Sequence, residues 1–316
     1  MERYKKLNIP YGNAICYSGY RKGQHPGLNL HPSYEQVKED LLILQEHWKY
    51  LRLYDVNAHS EMVLEIIQTL GLTFKVMLGA YIEAEMNNYG CPWGAIYPEK
   101  ELVRNRENNL RKMDTLVDLA NRYREIVFAT SAGNEATVDW TDHYVPVRHV
   151  IEYVQMVRKG TSQPVTFCEN YLPWHDKLQP LAGEVDFISI HTYPVWEHKH
   201  IHEAMEYTKQ NFYGVANKYP DIPVMITEAG WATRSNGRGI HPDHVNEEHQ
   251  QIYYNDLMQW CGEEGIITFV FEAFDEPWKG VDESSEPEKH WGLFYENRKP
   301  KRVMQALFQG KTSNFV

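Results

Sequence analysis

The chain lacks any run of 18 apolar residues, so no segment reads as a membrane-spanning helix. It also lacks any run of lysine and arginine, and its formal net charge is −11. That balance argues against a nucleic-acid partner, whose phosphates demand a cationic surface, and it favours a neutral ligand over a long anionic polysaccharide. Cysteine is scarce. Cys16, Cys91, Cys168 and Cys261 lie far apart with no CxxC pair, and a chain of 316 residues can bury enough core without disulfides, so free thiols are expected. Low-complexity tracts, long linkers and short repeats are missing too, which leaves one domain over 1–316, expected to act as a monomer. Behind Met1-Glu2-Arg3-Tyr4-Lys5-Lys6 there is no apolar stretch of the kind a secretory signal carries. Two locations stay open: the cytoplasm, or outside it after removal of a signal.

What the chain has in excess is aromatic residues, 13% of the total with 9 Trp and 21 Tyr. Tyr and Trp have polar tips that need partners when buried, and a wet cleft that stacks sugar rings would use part of this excess. Short apolar, β-branched segments occur at 11–17, 50–54, 74–80, 126–132, 165–169, 187–191, 224–227 and 267–274. Amphipathic patterns lie between them at 34–48, 60–70, 100–124, 145–158, 201–218 and 242–264. Near-continuous apolar strands alternating with helices predict a parallel sheet covered on its outside. Eight such units predict a closed (β/α)8 TIM barrel. The weakest unit follows the fifth strand, where 174–181 has poor helical periodicity.

Chemistry in this fold sits at the C-terminal ends of the strands. Polar and aromatic residues gather at those predicted ends: Arg52, Tyr54 and Asp55; Tyr81 and Glu83; Asn134 and Glu135; Glu169 and Asn170; His191 and Tyr193; Glu228 and Trp231; Glu272, Asp275 and Glu276. Charged groups are rarely placed there for stability alone. Two stretches stand out, Ser131-Ala132-Gly133-Asn134-Glu135 and Ile226-Thr227-Glu228-Ala229-Gly230-Trp231, each ending an apolar run. Two carboxylates at the mouths of different strands, one protonated and one ionised, are what acid-assisted cleavage of a glycosidic bond requires. Taken alone, Asn134-Glu135 also reads as a helix N-cap followed by a first-turn acid.

These motifs, together with Tyr50-Leu51-Arg52-Leu53-Tyr54-Asp55, Phe271-Glu272-Ala273-Phe274-Asp275-Glu276-Pro277-Trp278-Lys279 and His290-Trp291-Gly292-Leu293, resemble glycoside hydrolase family 17 of clan A. That family comprises β-1,3-glucanases and related glucanosyltransferases. The resemblance implies a retaining mechanism with Glu135 as acid/base and Glu228 as nucleophile, a neutral β-1,3-glucan as substrate, and no metal or organic cofactor. It also implies that Glu276 and Lys279 border the substrate cleft. On physical grounds Arg52 is the candidate cation beside Glu228, Tyr193 a candidate hydrogen-bond donor to it, and Asn134 the candidate partner of the sugar 2-hydroxyl. Tyr54, Trp231 and Trp278 complete the expected substrate-binding set, with Trp291 a further candidate platform. Plainer readings stand beside these. Arg52 could pair with Asp55, the group Glu272, Glu276 and Lys279 could be an ion network, and the tryptophans could be packing.

Other classes of function leave traces as well. His198-Lys199-His200 with His202, and His241, His244 and His249, invite a metal-dependent barrel hydrolase. The first group lies in a loop away from the first strand and the second has an i, i+3 spacing at a helix start, and both read better as solvated surface side chains. A non-catalytic glucan-binding barrel would have no need of both carboxylates. Hydrolysis and transfer share one glycosyl-enzyme, so the sequence leaves them open, and endo or exo action depends on the loops. The insertion at 86–100, with Cys91-Pro92-Trp93-Gly94, is the expected wall of the cleft, and Trp93 is expected to touch substrate.

Overall fold

The computed structural model describes residues 3–308, so the extreme ends of the expected 1–316 domain lie outside it. Eight strands close into a barrel in sequential order: β1 (Ala14–Cys16), β2 (Tyr50–Leu53), β3 (Lys75–Gly79), β4 (Val127–Asn134), β5 (Val165–Asn170), β6 (Ile188–Thr192), β7 (Val224–Ala229) and β8 (Thr268–Val270). All neighbouring pairs are parallel, including β1 with β8. The helices are α1 (Tyr34–Leu44), α2 (Ala58–Leu70), α3 (Glu99–Arg122), α4 (Val147–Gly160), α5 (Gln179–Ala182), α6 (Ile201–Lys218), α7 (Glu247–Glu264) and α8 (Arg302–Phe308). The (β/α)8 expectation therefore holds.

The strand sequences are apolar throughout because both faces are buried. Ala14, Tyr50, Met77, Phe187, Met225 and Phe269 belong to one cluster, filling the barrel, whereas their strand neighbours Ile15, Leu51, Val76, Leu78, Ile188 and Ile226 pack with the helices. Tyr4 joins the inner cluster, donating its hydroxyl to Val224 O (2.8 Å) and accepting from Ile267 N (3.1 Å).

The eighth strand is shorter than the apolar run that predicted it. Past Val270 the regular ladder ends: Ala273 N still donates to Cys16 O of β1 (3.0 Å), but the segment also pairs with a following one, Leu293 N donating to Glu272 O (2.9 Å) and Phe294 N to Ala273 O (3.0 Å). Apolar character persists there because the segment is still buried, not because it is still strand. The run expected at 242–264 likewise divides. Pro242–His244 forms a 3-10 turn, and α7 starts afresh after Asn246, whose Oδ1 caps His249 N (2.7 Å). The weak fifth unit is a 3-10 turn at Leu172–His175 and the one-turn α5.

The seam between the first and last units is held by a buried ion cluster. Asp40 on α1 accepts from Arg298 Nε and Nη2 (both 2.6 Å), Arg21 Nη2 (3.0 Å) and the Tyr17 hydroxyl (3.1 Å). Removing one side of such a pair strands a buried charge. Arg298→Ala should therefore cost about 3–5 kcal/mol of unfolding free energy in urea titrations. A loss below about 1 kcal/mol would show that the seam does not depend on the pair.

Candidate active site

At the end of β4 the backbone must turn sharply to bring Glu135 over the barrel mouth. Gly133 has φ 128°, and a Cβ there would meet Ile82 Cδ1 and Phe167 Cε2, both at 2.8 Å. Glu135 itself sits at φ 44°, a left-handed conformation that costs a non-glycine residue about 1–2 kcal/mol, and its N–H bonds Cys168 O (2.9 Å). Register shifts fall between Ser131 and Asn134, between Ile190 and His191, and between Ile226 and Ala229. Such irregularities re-aim side chains at the rim of a barrel. They bring Glu135, His191 and Glu228 together.

Glu228 is surrounded. Its Oε1 accepts from Arg52 Nη1 and from the Tyr54 hydroxyl (3.0 Å), and its Oε2 from the Tyr193 hydroxyl (2.5 Å). Arg52 also bonds Thr227 O (3.1 Å) and, through Nη2, Asn134 Oδ1. His191 Nδ1 lies 2.8 Å from Glu135 Oε1 and 3.4 Å from Glu228 Oε2, bridging the two carboxylates. Their settings differ: the Glu228 side chain is 6% exposed and that of Glu135 is 31% exposed.

Burial alone would push the Glu228 carboxyl up, but the His191 imidazolium, the Arg52 guanidinium and the Tyr193 hydroxyl hold it down at about 2. Burial would also strip His191 of its proton, yet the charge on Glu228, with Cys168 and Glu135 beside it, raises the imidazolium to about 10. The arrangement is an ionised carboxylate with fixed cations, next to a more open carboxyl that shares a hydrogen bond with His191.

The structure places the other expected residues at varied distances from this pair. Asn134, Arg52, Tyr54 and Tyr193 surround it. Arg52 does not pair with Asp55, which bonds Lys112 Nζ (3.2 Å). Lys279 Nζ lies 4.5 Å over the Phe271 ring, and Phe271 packs edge-on against Tyr193 (5.7 Å). Glu276 is buried behind Lys279: its Oε1 holds the loop after β1 through Ser18 Oγ (2.6 Å) and Tyr20 N (3.0 Å), and its Oε2 meets Lys279 Nζ (3.0 Å). Glu272 also bonds Lys279 (2.5 Å), so the ion-network reading of this trio describes what the side chains do. Trp278 is half-buried between Tyr20 and His25 (6.0 and 5.1 Å).

Trp231 is not brought to the cleft. It is 1% exposed, donates its indole N–H to His244 O (3.1 Å) and packs on Tyr253 (5.5 Å), so it offers no face to a ligand. Trp291 is equally buried and backs Tyr193 and Phe271 (5.1 and 5.9 Å).

His191 stood among the strand-end residues without a role. Its signal was a histidine inside the apolar β6 run, two residues before Tyr193. Among the described residues, Glu135, His191 and Glu228 are the one group whose donor atoms lie close enough to share a metal ion, within 4.8 Å of one another. A proton on His191 and the adjacent Arg52 charge disfavour an ion there. The two histidine clusters do meet, His200 and His244 lying 4.1 Å apart, but in none of their combinations among the described residues do three donors converge in this way.

Residues 14–292 match the BtgE/BtgC glycoside hydrolase domain. The chain belongs to that family. One BtgE/BtgC-related protein, a probable glucan endo-1,3-beta-glucosidase of Aspergillus clavatus, is 25% identical over 299 residues, covering 87% of this chain and 40% of the relative. A glucan 1,3-beta-glucosidase of Arthroderma benhamiae is 28% identical over 136 residues, 38% of this chain and 42% of that protein. The chain thus spans about two fifths of the length of these curated relatives. Among solved structures, an endo-laminarinase from Formosa superposes with a TM-score of 0.83 at 29% identity, covering 97% of this chain and 90% of that one. A family 17 β-1,3-glucanosyltransferase from Rhizomucor miehei shares the fold, with a TM-score of 0.70 at 21% identity, covering 92% of this chain and 96% of that one.

The charge state of this BtgE/BtgC-family site can be checked directly. With its pKa raised from 6.5 to about 10, His191 contributes stability that is complete below about pH 6.5 and lost as pH rises through 10. In NMR titrations its imidazole carbons should show no inflection between pH 7 and 8.5 and should titrate near 10. A midpoint near 6.5 would contradict the charged bridge.

Proposed function

We propose that this chain cleaves β-1,3-glucan by a retaining mechanism in which Glu228 attacks the anomeric carbon and Glu135 first donates and then accepts a proton. The observation that carries this reading is the pair itself: carboxylate oxygens of Glu135 and Glu228 within 4.8 Å, in contrasting settings, bridged by His191. A retaining enzyme needs its two carboxyl groups about 5–5.5 Å apart, whereas an inverting one needs about 6.5–9.5 Å to admit water between them. The β-1,3 linkage rests on the relatives, which carry the names glucan 1,3-beta-glucosidase, glucan endo-1,3-beta-glucosidase and endo-laminarinase.

Each neighbour has a part in the proposed chemistry. Arg52, Tyr54 and Tyr193 keep Glu228 ionised and fix its rotamer, so it meets the sugar without reorganisation. Asn134, with Oδ1 held by Arg52, keeps its Nδ2 donors for the sugar 2-hydroxyl, a contact that strengthens in an oxocarbenium-like transition state. His191 stands 2.8 Å from Glu135 as a proton partner. Once Glu228 is esterified its charge disappears, and Glu135 turns from acid to base for water or for a second sugar.

The insertion after β3 is braced against the loop that follows Glu135. Asn88 Nδ2 donates to Asp139 O (2.8 Å) and Thr141 O (2.9 Å), and the Cys91 thiol to Trp140 O (3.1 Å). Trp93, 63% exposed, and Tyr89 stand on it. Exposed aromatics beside a carboxylate cleft suit the apolar faces of glucose rings.

On a linear β-1,3-glucan oligosaccharide the intact protein should release β-configured product first. Glu228→Ala should lose turnover, with azide restoring it as the α-azide, and Glu135→Ala should fall by about 10²–10⁴-fold. Unchanged rates in both variants would reject the pair, and products longer than the starting oligosaccharide would assign a transferase. For the insertion, Trp93→Ala should raise KM on long laminarin about fivefold, worth roughly 1 kcal/mol of stacking, and leave the shortest cleavable substrate unaffected. Equal KM values and product lengths would exclude the insertion from the cleft.

A further inference from the structure

The two carboxylates give the cleft a direction. Glu135, as the acid, must come within hydrogen-bond reach of the oxygen it protonates. The sugar units beyond that oxygen, those at the reducing end, therefore leave past Glu135 and the loops beside β4. The non-reducing units lie the other way, toward β8, which stands opposite β4 in the closed order of eight strands. There Trp278, after β8, meets Tyr20 and His25 of the loop after β1 (6.0 and 5.1 Å).

A line of ring side chains runs outward from the end of β4. His143, in the loop after β4, has Nε2 3.0 Å from Asn134 O, and its ring lies 4.7 Å from that of Tyr81, just past β3. Trp140, in the same loop, is 38% exposed. The insertion after β3 is fastened at this point. Its Cys91 thiol donates to Trp140 O (3.1 Å), and Asn88 Nδ2 spans the carbonyls on either side, Asp139 O (2.8 Å) and Thr141 O (2.9 Å). From the β5 side Lys177 Nζ bonds Thr137 O (2.9 Å) and Asp139 Oδ1 (2.6 Å), so the loop is held on both flanks. Tyr89 and Trp93 stand open on this braced wall, 80% and 63% exposed. Large aromatic faces left open in a fixed setting mark a contact surface.

We infer that the insertion and the loop after Glu135 form the aglycone wall of the cleft, binding the reducing-end units of a β-1,3-glucan through Trp93, Tyr89 and Trp140. The inference rests on the acid/base role proposed for Glu135 and adds the direction in which the glucan lies. The loop that carries Glu135 also carries the wall, so the acid and the sugar it releases are held by one piece of backbone. In the first step the bond from the anomeric carbon to the glycosidic oxygen breaks. Glu228 bonds the carbon, the Glu135 proton goes to the oxygen, and the units on the wall depart. A sugar acceptor in the second step enters along the same wall, because that step reverses the first.

The test is the position of cleavage in laminariheptaose isotopically labelled at its reducing end, read by mass spectrometry. Losing an aglycone-side contact weakens the registers that place many units there, so the labelled fragments become shorter. Losing a glycone-side contact makes them longer. Trp93→Ala should lower the ratio of long to short labelled fragments about fivefold, the worth of one aromatic contact, and Trp93→Phe should restore most of it. Asn88→Ala, which frees the insertion from the loop but keeps every ring, should shift the fragments in the same direction. Longer labelled fragments from Trp93→Ala would place the insertion on the glycone side and overturn the inference, as would an unchanged pattern in that variant. Neither result touches the catalytic pair. Glu228→Ala on the same heptasaccharide judges the pair separately: cleavage at the intact rate would reject the proposed function, and this inference with it.

Discussion

The structure of the site depends on one constraint: Glu228 is a buried negative charge, and it must be compensated where it stands. An ionised carboxylate without partners in that position would cost several kcal/mol and would simply take up a proton. Arg52 from β2 and His191 from β6 supply the compensation, with hydroxyls from Tyr54 and Tyr193. Satisfying Glu228 draws Asn134 into position through Arg52 and Glu135 through His191. Four strands are therefore committed to a single hydrogen-bonded group, and no member can change charge without disturbing the others.

The barrel makes this affordable. Its interior is filled by apolar side chains together with small polar ones that satisfy one another, such as Thr166 bonded to Ser189 (3.0 Å), and the charged groups sit above them at the strand ends. Irregular register in β4, β6 and β7 appears at the height of the pair, and glycine at 133 lets the turn pack against Ile82 and Phe167. A second close approach serves the same end: a Cβ at Gly230 would lie 2.1 Å from Phe271 O, so the chain just past Glu228 can lie against the end of β8 only as glycine.

Around the site, charged residues divide by task. The cluster of Asp40 with Arg298 and the group Glu272, Glu276 and Lys279 tie the first and last units together, and they use the same residue types as the pair at the mouth. What separates these enclosed clusters from the pair at the mouth is access. Glu276 and Asp40 are enclosed by the groups that neutralise them, whereas Glu135 keeps 31% of its side chain open.

Periodicity and apolar patterning by themselves determined the eight strands, their parallel order and the placement of Glu135 and Glu228 at strand ends, because burial on two faces leaves a strong local signature. The partnership of Arg52 and Tyr193 with Glu228 was also legible, since strand-end residues on one barrel face have few other places to go. Tertiary structure alone decided the rest. It made His191 the bridge, because that depends on register between β4, β6 and β7. It buried Trp231 beneath α7 and set Glu276 behind Lys279, since a residue's direction after a strand end is fixed by loop packing and not by its type. It also ended the regular ladder of β8 at Val270 and paired the rest of the eighth apolar run with a following segment, because burial, which the sequence records, does not say which neighbour provides it.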